Sequence, residues 1–256
     1  MGIKRLVGRR LLAWRFRLFQ MHRHNHLVLE EIAGRQLVVL PGVFNPKLFR
    51  TGEFLARCLG EEMIPPGSRV LDLGTGSGVG AIFAAERAGR VVAVDINPAA
   101  VRCARLNALL HGCDHKIDVR EGDLFAPVVG ETFDVVLFNP PYYRGEPRDS
   151  LDQAFRANGL IERFAAGLGA VLAPDGQALL VVSSDMDVAD LLQCMRGVGF
   201  ADWVVRTREF INETMTVYAF ERTSADSEAR GPASLTRDAD GLRTSDSGLR
   251  TKGPQR

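Results

Sequence analysis

The residues of this chain that can do chemistry fall in a few short segments. Asp72-Leu73-Gly74-Thr75-Gly76-Ser77-Gly78 joins an acid to a glycine-rich turn. Gly74, Gly76 and Gly78 permit a tight turn and a close backbone approach to a ligand, with Thr75 between them. Gly76-x-Gly78-x-x-Ala81 also satisfies a loose dinucleotide pattern. Asp72 discriminates between the two readings. A pyrophosphate has no use for a negative charge two residues before the first glycine, whereas a cationic amino group does. Asp95 closes a second apolar run, where a carboxylate can accept both hydroxyls of a ribose. Asp123, in Glu121-Gly122-Asp123-Leu124, can accept from an adenine amino group, because an ionised carboxylate only accepts. Ile96 and Leu124 adjoin these acids and belong to the same candidate set. An acid each for an amino-acid moiety, a ribose and an adenine describes S-adenosylmethionine (SAM).

Asn139-Pro140-Pro141-Tyr142 is the second chemical feature. Pro140 and Pro141 remove two backbone donors and stiffen the chain. The Asn139 side-chain oxygen and the Pro140 carbonyl can then hold an NH2 group by both hydrogens. Tyr142 offers a flat face to a planar substrate. An amide or adenine nitrogen is a poor nucleophile because its lone pair is delocalised. Accepting two hydrogen bonds from it favours pyramidalisation and aims the lone pair at an electrophilic methyl. Positioning and electrostatics carry such a transfer without a strong general base.

These segments lie between short apolar runs and helical patterns that alternate. Strands are expected at Val70–Leu73, Val91–Val94, Ile117–Arg120, Phe133–Phe138, Ala178–Val182, Trp203–Thr207 and Thr214–Phe220. Helices are expected over Val79–Arg87, from Pro98 to about Leu110, over Leu151–Leu172 and over Val188–Val198. Pro174-Asp175-Gly176 reads as a turn after the third of these. The pattern is that of an α/β protein, a parallel-rich sheet with helices on both faces. In such sheets ligands bind at the carboxyl ends of the strands, where the acids and Asn139 fall.

The two ends of the chain differ from the middle. Seven cations and no acid lie in residues 1–29, and the net charge is +1 overall, so the remainder carries −6. Ile3, Val7, Leu11, Trp14 and Leu18 fall near one face, which reads as a basic amphipathic helix. It can cap the main domain, or touch nucleic acid or a membrane surface. Residues 223–256 hold no aromatic residue, repeat Gly-Leu-Arg-Thr twice and read as a disordered tail. The domain itself is expected over residues 30–222. The four cysteines form no CxxC pair and read as reduced cytosolic thiols. His22, His24 and His26 alternate, and His111, Cys113 and His115 cluster, but neither set reads as a metal site. No apolar run reaches membrane-spanning length, and 46% hydrophobic with 25% charged residues is ordinary for a globular chain.

With these motifs the sequence resembles class I SAM-dependent methyltransferases of the Asn-Pro-Pro-Tyr group, which methylate amide and exocyclic nitrogens. The resemblance is best to short HemK-type protein-glutamine N5-methyltransferases. It runs from about Gly42 to Arg222 and implies a Rossmann-like, seven-stranded, mostly parallel sheet with one antiparallel strand near an edge. Pro41 to Pro46, then Thr51 and Glu53, looks like that family's segment before the SAM domain, which implies a cofactor-closing role for Thr51. SAM is the implied cofactor, and a cytoplasmic release factor or ribosomal protein with a reactive glutamine the implied substrate. An RNA or DNA adenine-N6 or guanine-N2 methyltransferase, served by the basic head, is the same-fold alternative. A non-catalytic SAM-binding protein is a further one. An NAD oxidoreductase fits Asp72 and Asn139–Tyr142 least.

Overall fold

The computed structural model describes residues 26–141, 159–210 and 213–223. The main unit holds two sheets. An N-terminal hairpin pairs β1 (Val28–Ile32) with β2 (Arg35–Val39). Two short helices follow, α1 (Pro46–Phe49) and α2 (Thr51–Cys58). Then come β3 (Arg69–Leu73), α3 (Val79–Ala84), β4 (Arg90–Asp95), α4 (Pro98–Leu110), β5 (Ile117–Glu121) and β6 (Phe133–Phe138). The chain continues through α5 (Leu160–Val171), β7 (Leu172–Ser183), α6 (Val188–Gly197), β8 (Phe200–Glu209) and β9 (Thr214–Arg222).

The seven-stranded sheet has the order β5-β4-β3-β6-β7-β9-β8. Strand β9 is antiparallel to both its neighbours, and the other pairings are parallel. The expected fold class, with one antiparallel strand next to an edge, is therefore the one observed. Its order reverses between β3 and β6, which opens a crevice at their carboxyl ends.

Alternate residues of each strand feed opposite faces. Val70, Ala93, Val135 and Leu137 pack with α2, α3, α4 and the hairpin. Leu71, Val92, Val136 and Phe138 pack with α5 and α6. Burial on both faces accounts for the uninterrupted apolar runs in β4 and β6. Phe138 stacks on Phe164 of α5 at 4.7 Å, which seats β6 just below the crevice.

Several expectations are corrected. The hairpin begins at Val28, so a head reaching to residue 29 overlaps a strand. The amphipathic pattern of Ile3–Leu18 lies outside the described residues, as does the tail from residue 224. Helix α3 stops at Ala84 rather than at Arg87. Helix α5 ends at Val171, and Pro174-Asp175-Gly176 sits inside β7. There it forms a bulge: Phe133 faces Leu172 while Val135 faces Gln177. A Cβ on Gly176 would fall 2.9 Å from the Asp134 carbonyl oxygen, so glycine lets the two backbones close. The stretch 151–158 of the expected helix lies outside the described residues.

The hairpin was not foreseen, and one side chain ties it down. Asn107 of α4 is fully buried. Its Oδ1 accepts from the Val38 N–H at 2.8 Å, and its Nδ2 donates to the carbonyls of Val38 and Ser77 at 2.7 and 2.8 Å. It thereby joins the hairpin to the glycine turn. Asn107→Ala leaves these buried groups without partners and should cost about 2 kcal/mol, read as a lower denaturant midpoint at constant slope. His111 also reaches the hairpin, through the Gln36 carbonyl at 2.9 Å, as a connector residue.

Candidate active site

The crevice holds a cavity of about 150 Å³. Asp72, Gly74, Thr75, Gly76, Asp95, Ile96, Asp123, Leu124, Asn139, Pro140 and Pro141 all line it. The elements deliver them in a regular way. Strand β3 ends one residue after Asp72, β4 ends on Asp95, β5 leads into Asp123 and β6 leads into Asn139. Parallel pairing brings these four strand ends to the same edge.

Asp72 is buried, and its Oδ2 accepts from the Thr75 hydroxyl at 2.6 Å and the Ala81 N–H at 2.9 Å. This carboxylate therefore organises the turn as well as facing the cavity. Burial, with a smaller push from the nearby Asp95, raises its pKa to about 6 against those two hydrogen bonds. Gly80 was not singled out from sequence, yet a Cβ there would fall 2.8 Å from Asp72 Oδ1.

Asp95 holds the next turn. Its Oδ2 accepts from the Gly76 N–H at 2.8 Å and its Oδ1 from the Asn97 N–H at 2.9 Å. Burial raises its pKa against these bonds. Asn97 caps α4 through the Ala99 N–H, and its Nδ2 donates to the Gly42 carbonyl at 2.9 Å. Gly42, Phe44 and Pro46 thus form another wall of the cavity. Gly42 falls in the Pro41–Pro46 segment that the resemblance places before the SAM domain; Asn97 was not singled out, although Asn-Pro before a helix is a visible cap signal.

Asp123 lines the cavity and also pairs with Arg163 of α5. Both groups are roughly half exposed, so the pair contributes little to stability. It holds one carboxylate oxygen and leaves the geometry of the other to a ligand.

Thr51 and Gly78 depart from expectation, because neither lines the cavity. Thr51 is fully buried at the start of α2, and its hydroxyl accepts from Asn139 Nδ2 at 3.3 Å. The side chain behind the cofactor segment therefore acts on Asn139. That bond makes the Nδ2 end of the amide the end facing Thr51 and assigns the acceptor role to Oδ1. Gly78 packs against α4 instead of a ligand. Tyr142 lies outside the described residues.

The donor set fits SAM. Three carboxylates suit an ammonium, a ribose diol and an adenine amino group, and Gly74 and Gly76 adopt left-handed conformations, with φ of 62° and 56°. A family model, the methyltransferase small domain, matches residues 34–211. The chain belongs to the methyltransferase small domain family. A Methanocaldococcus jannaschii protein provisionally named a protein N5-glutamine methyltransferase is 32% identical over 179 residues, 66% of this chain and 87% of that one. The ribosomal protein uL3 glutamine methyltransferase of Bradyrhizobium diazoefficiens is 33% identical over 136 residues, 48% of this chain and 43% of that one. The chain thus spans less than half the length of that relative. Among solved structures, the E. cuniculi Mtq2-Trm112 complex, responsible for methylation of the eRF1 translation termination factor, aligns with a TM-score of 0.56. It is 24% identical, covering 71% of this chain and 99% of that one, and it supports the fold alone. In this methyltransferase small domain, the crevice with its three carboxylates and the Asn139–Thr51 hydrogen bond are the parts whose geometry bears on chemistry.

Proposed function

We propose that this chain transfers a methyl group from SAM to the side-chain amide nitrogen of a glutamine in a protein, with release factors or ribosomal proteins as the substrate class. The observation that carries this reading is the placement of Asn139. Its amide is pinned by Thr51 at the end of β6, on the wall of a cavity that also bears three carboxylates. The names of the methyltransferase relatives support the same reading.

Bound in the crevice, SAM supplies a methyl group on a positively charged sulfur. Asp72 would hold the ammonium, Asp95 the ribose hydroxyls and Asp123 the adenine amino group, with Ile96 and Leu124 lining the same cavity. The backbone at Gly74–Gly76 lets the ligand approach. Asn139 Oδ1 and the Pro140 carbonyl each accept one hydrogen of the substrate NH2. Pro141 stiffens the segment, and the role proposed for Tyr142 is to offer its ring face to the amide plane. The two carbonyl oxygens would hold the substrate nitrogen with its lone pair toward the methyl group, and the proton it sheds would leave to water. We infer a cytoplasmic location from the ribosomal-protein substrate named for a relative. No helix of the described residues is long and apolar enough to cross a membrane.

The test uses purified protein, radiolabelled SAM and lysate from cells that lack this gene. Label released by protease and kept through nuclease treatment supports the glutamine reading. Label lost to nuclease transfers the reading to an exocyclic amine of RNA or DNA. Binding of SAM by calorimetry without any transfer points to a non-catalytic binder.

A pH dependence follows from Asp72. The ionised carboxylate binds the ammonium, and its pKa stands near 6, above the ordinary carboxylate value. SAM affinity should therefore be flat above that pH and fall below it, approaching about tenfold per pH unit. Titration calorimetry between pH 8 and about 5 reads this directly, and a constant affinity over that range removes Asp72 from ammonium binding.

A further inference from the structure

More than half of the arginines among the described residues are matched to carboxylates, for example Arg35 to Glu86, Arg57 to Glu53 and Arg196 to Asp202. Arg50 and Arg208 are not. Among the described residues neither forms an ion pair. Each instead places its guanidinium carbon 5.0 Å from the centroid of the same ring, Phe210. The two cations are thus no farther apart than twice that distance, about a Debye length at 0.1 M ionic strength.

Both side chains are exposed at the active-site end of the sheet. Arg50 immediately precedes Thr51, whose hydroxyl takes an amide hydrogen of Asn139. Phe210 follows β8, and its N–H donates to the Glu213 carbonyl at 2.8 Å. The Glu213 carboxylate in turn accepts from the Ser183 hydroxyl, at the carboxyl end of β7. The ring and its cations therefore border the edge where Asn139 stands.

Backbone geometry adds an independent observation. Arg50 has a φ of 59°, in the left-handed region. Glycine would hold that turn without strain, and an arginine there is held by its surroundings. Strain of this kind collects where a side chain is needed in a fixed place.

Resting on the glutamine reading, we propose that Arg50 and Arg208, held over Phe210, form a specificity site for an acidic side chain of the protein substrate near the methylated glutamine. A guanidinium fork matches a carboxylate in two parallel hydrogen bonds. Stacking on the ring leaves that fork available and limits its rotamers. Two neighbouring cations without a counter-anion favour a ligand that brings one. The residues beyond the basic head carry a net −6, which opposes a long polyanion across the body. A short acidic stretch meets only the local field, so a peptide suits the site better than a nucleic acid does.

The test uses the full chain and an Arg50→Gly/Arg208→Ser variant. Glycine tolerates the turn, so the thermal midpoint should hold or rise, and SAM binding should not change. The probes are fluorescein-labelled peptides with one glutamine, flanked by glutamates or by serines, read by anisotropy with SAM present. The full chain should bind the glutamate peptide about tenfold tighter, and the variant should lose that preference. Equal binding of both peptides by the full chain, or a preference kept by the variant, overturns the proposal. A single-stranded oligonucleotide that binds the full chain and not the variant overturns it in favour of a nucleic-acid contact. Lysate labelling separates the two levels. Label in nucleic acid defeats the glutamine reading itself; label in protein, equal for full chain and variant, defeats only this specificity site.

Discussion

Asn139→Ala should lower kcat/KM for methyl transfer by about 100- to 1,000-fold, the usual effect of removing one preorganised polar group from a reacting centre. SAM affinity should change far less, because the three carboxylates and the glycine turn remain. The asymmetry comes from what Asn139 touches. Its amide meets Thr51 on one side and the cavity on the other. The hydrogen bond to Thr51 matters because an unpinned amide can rotate and present its donor end to the substrate NH2, where it would repel. Thr51→Val keeps the shape and removes the pin, so its effect should be in the same direction and smaller. Single-turnover rates with saturating SAM measure both variants free of the binding step. Full transfer by Asn139→Ala would take Asn139 out of the reaction.

How much of this was legible in the sequence depends on whether neighbours along the chain or neighbours in space decide the role. Asp95 and Asp123 were visible because each closes or follows an apolar run, and strand ends are where α/β sheets bind ligands. The strands themselves were visible because burial on both faces leaves unbroken apolar runs. The Pro174-Asp175-Gly176 stretch misled because its residue types are those of a turn. Pairing with β6 absorbs them as a bulge, and no local signal reports a partner strand. The hairpin was hidden for a related reason. Asn107, which bonds it to α4, lies far along the chain and is indistinguishable in sequence from any polar helix residue. Thr51 shows the same limit. Its segment resembles one that closes a cofactor site, but only the fold shows that its hydroxyl faces Asn139.

Gly78→Ala should destabilise the whole domain, by about 3 kcal/mol, instead of weakening only the ligand. The sequence groups Gly74, Gly76 and Gly78 as one ligand turn, and the structure divides them. Gly76 has a φ of 56°, and a Cβ there would meet nothing closer than the Gly74 carbonyl oxygen at 3.9 Å. Its replacement by alanine costs the left-handed strain alone, about 1 kcal/mol, and a ligand approaching the turn feels the added methyl. Gly78 has a φ of 84°, and its Cβ would stand 3.0 Å from the Ala104 Cα in α4. There the strain adds to a backbone clash that only a shift of the helix relieves. That helix carries Asn107, which donates to the Ser77 carbonyl in the same turn and grips the hairpin beyond it. Moving α4 away from Gly78 thus pulls on the hairpin and on the wall at Gly42 together. Denaturant unfolding of the two alanine variants separates the roles: Gly78→Ala should lose stability with and without SAM, whereas Gly76→Ala should lose mainly the stabilisation that SAM provides. Equal loss of stability in both would return Gly78 to the ligand turn.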